Sequence, residues 1–155
     1  MLLKLVPIAS VLSVLAQSAP LAIFHDTITH AYAVDLSAPV VLGDLQCMKQ
    51  AGYNAAFVRA YNPSGQGSFD TNACNTIQSS YYAGLGNEIY MTPQPQSNKQ
   101  GYQQLDEVYQ GLNQCGTNIR SIWIQVTSRN NWLNSPADNV NFINSIVNRA
   151  YVSSG

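Results

Sequence analysis

Charge is what this sequence has least of. Charged residues make up 10% of it, against about 25% in an ordinary globular domain. Seven Lys and Arg against eight Asp and Glu leave a formal net charge of −1, so there is no basic footprint for nucleic acid. Asn and Gln take the place of charge, with 15 and 13 copies. A polar but uncharged surface suits a neutral partner such as a sugar polymer. Histidine is nearly missing: His25 and His30 are the only two, and both precede the first expected strand. A Ser-His-Asp triad, a Cys-His pair and a His-based zinc site are thereby disfavoured. The three cysteines form no C-x-x-C, which argues against a zinc ribbon or thioredoxin-type site, and no cofactor or metal is expected. No Asn-x-Ser/Thr sequon occurs, because Asn62-Pro63-Ser64 is spoiled by its proline.

An uninterrupted apolar run of about 20 residues, as a membrane helix requires, is also missing. The amino-terminal segment reads instead as a signal peptide over residues 1–22. Lys4 supplies the positive start, Leu5 to Ala16 the apolar stretch, and Ser18, Ala19 and Ala22 the small residues near a cleavage site. A cut as late as Ala31 would give a mature chain beginning at Tyr32. The expectation is a secreted, extracellular protein with no membrane attachment after cleavage. Export permits disulfides. The odd count leaves one thiol over, and Cys47 with Cys74 is the preferred pair, since both flanks look helical and lie on neighbouring units. Such a bridge would contribute roughly 3–4 kcal/mol in the chain-entropy description.

What the sequence does hold is an alternation of strands and helices. Ala31–Ser37, Asn54–Tyr61, Asn87–Met91 and Ser121–Val126 carry apolar strand patterns. Helices are expected at Gly43–Gln50, from Asp70 or Thr71 to Ala83, at Gln100–Leu112, and from Pro136 to about Ala150. Four βα units in a row imply a parallel sheet covered by helices. Ligands of such sheets bind at the carboxyl ends of the strands. That rule selects Asp35 and Ser37, Arg59 and Tyr61, Tyr90 and Met91, and Gln125 to Ser128. Periodicity alone leaves an open sheet and a barrel equally open. Gly65-Gln66-Gly67 lacks the third glycine of a phosphate loop and reads as a flexible connection.

With histidine excluded, carboxylates remain. Asp44, Asp106, Glu107 and Asp138 fall on helices and read as solvated. Asp70 reads as a helix cap, and Glu88 opens a strand at the wrong end of the sheet. Only Asp35 stands on a strand tip facing the expected site, where bonding to neighbouring backbone amides is the competing role.

Tyr32-Ala33-Val34-Asp35-Leu36-Ser37 with Pro39, Gly52-Tyr53, and Val58-Arg59-Ala60-Tyr61 resemble glycoside hydrolase family 25, in its nematode and amoebal branch of N-acetylmuramidase lysozymes. Asp70-Thr71-Asn72, Ile89-Tyr90-Met91 with Pro93, Ile122-Trp123 and Asn141-Phe142-Ile143 continue the resemblance in the same order, covering essentially Tyr32 to Ala150. The resemblance implies a modified β/α barrel over residues 32–155 and peptidoglycan as the partner. It also implies an Asp-x-Glu at the tip of the fourth strand. Here Gln125 stands in the place of that Asp and Thr127 in the place of the Glu. A glycosidase needs one carboxyl group to protonate the leaving oxygen and a second to attack or stabilise, so muramidase activity should be lost or nearly lost. The alternatives are a carbohydrate-binding protein that kept only the groove, a working enzyme using Asp35 and another carboxylate, and a secreted decoy.

For binding, Tyr61, Tyr90 and Trp132 are the aromatic candidates, with Trp132 in the loop after the fourth strand as the stacking surface. Trp123, inside a strand, is expected in the core, and Arg59 is expected to pair with Asp35. The pattern runs out at Ala150-Tyr151-Val152, about four βα units in. The expected architecture is therefore a partial barrel, with its first and fourth strands as open edges and marginal stability in isolation.

Overall fold

The computed structural model describes residues 30–127 and 129–153; the expected signal peptide lies outside them. The elements are β1 (Tyr32–Leu36), α1 (Leu42–Gln50), β2 (Tyr53–Asn62), β3 (Ser68–Phe69), α2 (Ala73–Tyr82), β4 (Gly86–Met91), α3 (Gly101–Gln114), β5 (Trp123–Ile124) and α4 (Pro136–Ser153). The sheet runs β1-β2-β4-β5 with every neighbouring pair parallel, and β3 folds back antiparallel on the end of β2. This is the expected partial barrel: a parallel sheet, helices outside, unclosed. The last strand is shorter than the sequence suggested. Of Ser121–Val126 only Trp123 and Ile124 pair as a strand, with Gln125 adding one further backbone bond to the Met91 carbonyl.

Alternation along the strands gives the sheet two unlike faces. Leu36, Ala56, Val58, Ile89 and Met91 point to one side and are buried. Helices cover that side. α3 contributes Leu105, Val108 and Leu112, at the spacing of one helix face and fully buried. The other side carries Asp35, Phe57, Arg59, Glu88, Tyr90 and Trp123, placed on one face by the strand register. In a closed barrel this is the interior. Here Trp123 is 55% exposed. The expectation that it belongs to the core is corrected: it stands on the outer strand β5, where over half of its surface is open, while Tyr90 on the inner strand of the same face is buried.

The connection after β2 is more ordered than expected. Tyr61 pairs with Phe69 and Asn62 with Ser68, so the Gly-Gln-Gly stretch is a tight return. Gly67 has φ +73°, and a Cβ there would lie 2.7 Å from the Tyr61 ring; only glycine fits. Much of the amide content holds loops. Gln104, fully buried, accepts from the Gln94 backbone N–H at 2.9 Å and donates to the Gln94 carbonyl at 2.8 Å. Gln94 in turn donates to the Pro63 carbonyl, and Gln96 to the Asn130 carbonyl.

The disulfide is not the expected one. Cys74 is bonded to Cys115, and Cys47 is free and exposed on α1. The α3 helix runs back along the sheet and returns its end, with Cys115, to the flank of α2. Cys47 lies on the far side of that helix pair in the chain order, and its spacing from Cys74 carried no information about direction.

Candidate active site

The site is built at the carboxyl ends of the strands. Asp35 comes from β1, Arg59 and Tyr61 from β2, Tyr90 and Met91 from β4, and Gln125 follows β5. Asp35 stands on one edge strand of the order β1-β2-β4-β5, and Gln125 directly follows the other. At about 4.8 Å per neighbouring pair, a flat sheet would hold those edges about 14 Å apart. Yet the Gln125 Nε2 donates to Asp35 Oδ2 at 3.3 Å. The sheet is therefore curled toward its own closure, and the two side chains meet across the mouth of the curl. Thr92, just past β4, fixes the amide from the other end: its Oγ1 donates to Gln125 Oε1 at 2.7 Å. That bond sets the orientation of the amide, leaving the nitrogen to face the carboxylate.

Tyr90 is buried and lies on the same face of the sheet as Asp35. Burial pushes the phenol well above its ordinary value, and the negative charge of the nearby Asp35 pushes the same way. Arg59 opposes the shift. Asp35 thus accepts from one neutral donor, the Gln125 amide, with a protonated phenol nearby.

Arg59 does not pair with Asp35, contrary to expectation. Its guanidinium grips Asp70, Nη2 to Oδ2 at 2.9 Å and Nε to the same oxygen at 3.0 Å. Asp70 is nearly buried and also accepts from the Asn72 backbone N–H at 3.1 Å. It therefore shapes the entry to α2 one turn ahead of the helix, and its charge is neutralised by arginine. Arginine suits this place because its fork can serve a planar carboxylate from more than one nitrogen.

The remaining expected residues divide. Tyr61 is fully buried with its hydroxyl lacking a hydrogen-bond partner among the described residues. Burial, and then the nearby Glu107 carboxylate, raise its phenol far above the usual range. It is part of the core rather than a sugar contact. Trp132 is also inside, 9% exposed, with its ring edge-on to Phe142 at 6.4 Å between centroids. The burial fits neither the expected binding role of Tyr61 nor the expected stacking role of Trp132. Thr127 is exposed and accepts from Asn131 Nδ2 at 3.2 Å, so it joins the turn Arg129–Asn131. Three groups were missed: Thr92, Trp123 and Phe57. Trp123 stacks obliquely on Phe57 at 5.8 Å and donates its indole N–H to Glu88 at 2.9 Å. Register would have placed Trp123 beside Tyr90 on the Asp35 face, had the barrel been taken as open there.

Residues 26–154 match the family model described as Lysozyme-like protein 1. The chain belongs to the lysozyme-like protein family. It is 66% identical to Lysozyme-like protein 7 of Caenorhabditis elegans over 122 residues, which is 79% of this chain and 43% of that protein. To Lysozyme-like protein 1 of the same organism it is 52% identical, covering 87% of this chain and 45% of the relative. A probable GH family 25 lysozyme of Dictyostelium discoideum is 30% identical over 74% of the chain and 52% of its own length. The lysozyme-like chain thus spans about half the length of the curated relatives it matches. Among solved structures, a muramidase from Trichobolus zukalii superposes with TM-score 0.56 at 20% identity, covering 81% of this chain and 60% of that one, which supports the partial-barrel fold.

Proposed function

We propose that this chain is an exported lysozyme-like protein that keeps a face for bacterial wall polysaccharide and has lost hydrolytic chemistry, serving antibacterial defence or digestion as a binder. The observation that carries the proposal is the amide of Gln125, clamped between Thr92 and Asp35 at the mouth of the curl. Gln125 cannot release a proton at useful pH, and Thr127, on the exposed side of its turn, is no carboxylic acid. Asp70 is already committed to Arg59. One carboxylate, Asp35, remains at the strand tips, where glycoside hydrolysis uses two. Each missing acid or base costs about two to four orders of magnitude in rate.

Binding needs less. Trp123 offers an exposed indole face beside Phe57, and aromatic faces with polar edges suit sugar rings, apolar on one side and hydroxylated on the other. Asp35 can accept from a sugar hydroxyl there. Peptidoglycan is the proposed partner, and the signal peptide at residues 1–22 the proposed route of export.

Two assays on the secreted chain test this. A turbidity assay on bacterial walls should show no lysis, and a pull-down on insoluble peptidoglycan should retain the protein. Trp123→Ala should weaken retention by about three- to tenfold. Lysis by the unmodified chain would overturn the loss of catalysis. Failure of the wall to retain it would overturn the binding and leave a decoy.

A further inference from the structure

Along α2, against the start of β4 and the end of α3, lies a depression that the strand-tip site does not use. α2 ends there with Tyr81 and Tyr82, β4 begins there with Gly86 and Asn87, and α3 ends there with Cys115. Together these elements form an open depression of about 420 Å³ lined by Asn75, Ile77, Gln78, Tyr81, Tyr82, Asn87, Gly116 and Thr117, with the Cys74–Cys115 bridge in its wall. No charged residue lines it.

Its aromatic pair is unusual for a helix surface. Tyr81 is 73% exposed and Tyr82 65% exposed. Their rings meet edge-on, centroids 5.8 Å apart, and so form a ledge with ring faces turned to different directions. The polar side chains around the ledge are the amides of Asn75, Gln78 and Asn87 and the hydroxyl of Thr117, with Ile77 and the disulfide as apolar wall. Asn87 is tethered by its nitrogen to the Ile77 carbonyl at 3.3 Å, and its Oδ1 is buried with no partner among the described residues. The disulfide fastens α2 to the end of α3, so the two walls of the depression cannot separate.

We propose that this depression binds a short neutral oligosaccharide, as a second carbohydrate site distinct from the strand-tip face. Tyrosine rings supply apolar faces for the C–H side of pyranose rings. Asn and Gln side chains both donate and accept, as hydroxyl groups require. The absence of charge from the lining leaves no cation to pair with an anionic ligand. Phosphorylated ligands and acidic peptides are disfavoured on the same ground. The proposal stands independently of the strand-tip reading.

The test uses the full chain from a secreting host, with the disulfide intact. Amide chemical shifts are followed by NMR during titration with the β-1,4-linked tetramer of N-acetylglucosamine, with cellotetraose, and with an anionic muramic-acid disaccharide. Saturable shifts over residues 74–87 and 115–117 are expected with at least one neutral tetramer and not with the anionic probe. Tyr81→Ala with Tyr82→Ala should weaken that binding about tenfold or more. Both residues are exposed, and a heteronuclear spectrum shows whether the variant is folded. Thr117→Arg, which puts a cation into the depression, should also block the neutral probes. The proposal is overturned if no neutral probe moves residues 74–87 and 115–117. It is equally overturned if the folded tyrosine double variant binds as the parent does. Shifts confined to Asp35, Tyr90 and Gln125 would uphold the strand-tip site while overturning this one; their absence, with shifts at 74–87, would do the reverse.

Discussion

Gln125 is the residue on which the site turns. In its present form it joins two edge strands through a pair of hydrogen bonds. Gln125→Asp would set a second carboxylate against Asp35, and two like charges in contact disfavour each other. The expected outcome is a lower thermal midpoint at neutral pH, largely recovered near pH ~4, where the pair can share a proton. A midpoint at neutral pH equal to the parent's would show that the clasp carries no strain of this kind. Tyr61 gives a second prediction at this scale. Its hydroxyl is buried with no hydrogen-bond partner at bonding distance among the described residues, and the Glu107 carboxylate is nearby, so Tyr61→Phe should be neutral or stabilising by about 1 kcal/mol at pH 7. Both Tyr61 and Tyr90 have phenols raised above the ordinary value of 10.0. The unfolded chain therefore loses those protons first as pH rises, and stability falls above pH ~10. Denaturant melts across that range should show the fall, and Tyr61→Phe should soften it.

Asp35, Tyr90 and Gln125 were legible in the sequence because the strand-tip rule depends only on element order. The tryptophans were misplaced for a physical reason. A residue inside a strand is buried only if its surroundings cover it, and Trp123 stands on the outer strand β5 while the loop of Trp132 folds onto Phe142. Thr92 was missed because its role depends on a side chain brought from 33 residues away.

Among the elements, α3 carries the most. It presents Leu105, Val108 and Leu112 to the core, pins the loop over residues 94–99 through Gln104, and ends in the bridging cysteine. The bridge closes a sequence separation of 41 residues, which corresponds to about 4 kcal/mol of restricted unfolded-chain freedom. Cys74→Ser with Cys115→Ser should lower stability by roughly that amount, whereas Cys47→Ser should be silent in chemical denaturation. Non-reducing peptide mapping that found Cys47 in the bridge would reverse the assignment. Three cysteines allow three pairings, and spacing could not choose among them. The choice is made by the course of α3, which runs back to the flank of α2. Helix and strand identities were legible for the complementary reason that each follows from a local period. The short β3 was not, since two residues have no period, and its formation rests on Gly67 permitting the chain to pass the Tyr61 ring.

For the molecule as a whole, the decisive property is that the sheet is curled but open. Among the described residues, β1 pairs only with β2 and β5 only with β4. Each outer edge therefore presents backbone groups able to pair with another chain. The concave face adds exposed apolar surface, since Trp123 is 55% exposed with Phe57 beneath it. Apolar area left in water forgoes about 25 cal/mol for each Å², so the folded state loses stabilisation that a covered face would supply. Two consequences are expected of the purified chain, measured as residues 32–155 and as the secreted product. Calorimetry should give a broad transition, and sedimentation velocity should give an average mass that rises with concentration. Trp123→Thr should reduce the association without narrowing the transition, because it removes surface from the concave face and leaves both edges open. A sharp cooperative transition from a monomer at every concentration would overturn the expectation. It would show that the Asp35–Gln125 clasp and the bridge between α2 and α3 hold an open sheet as firmly as closure would.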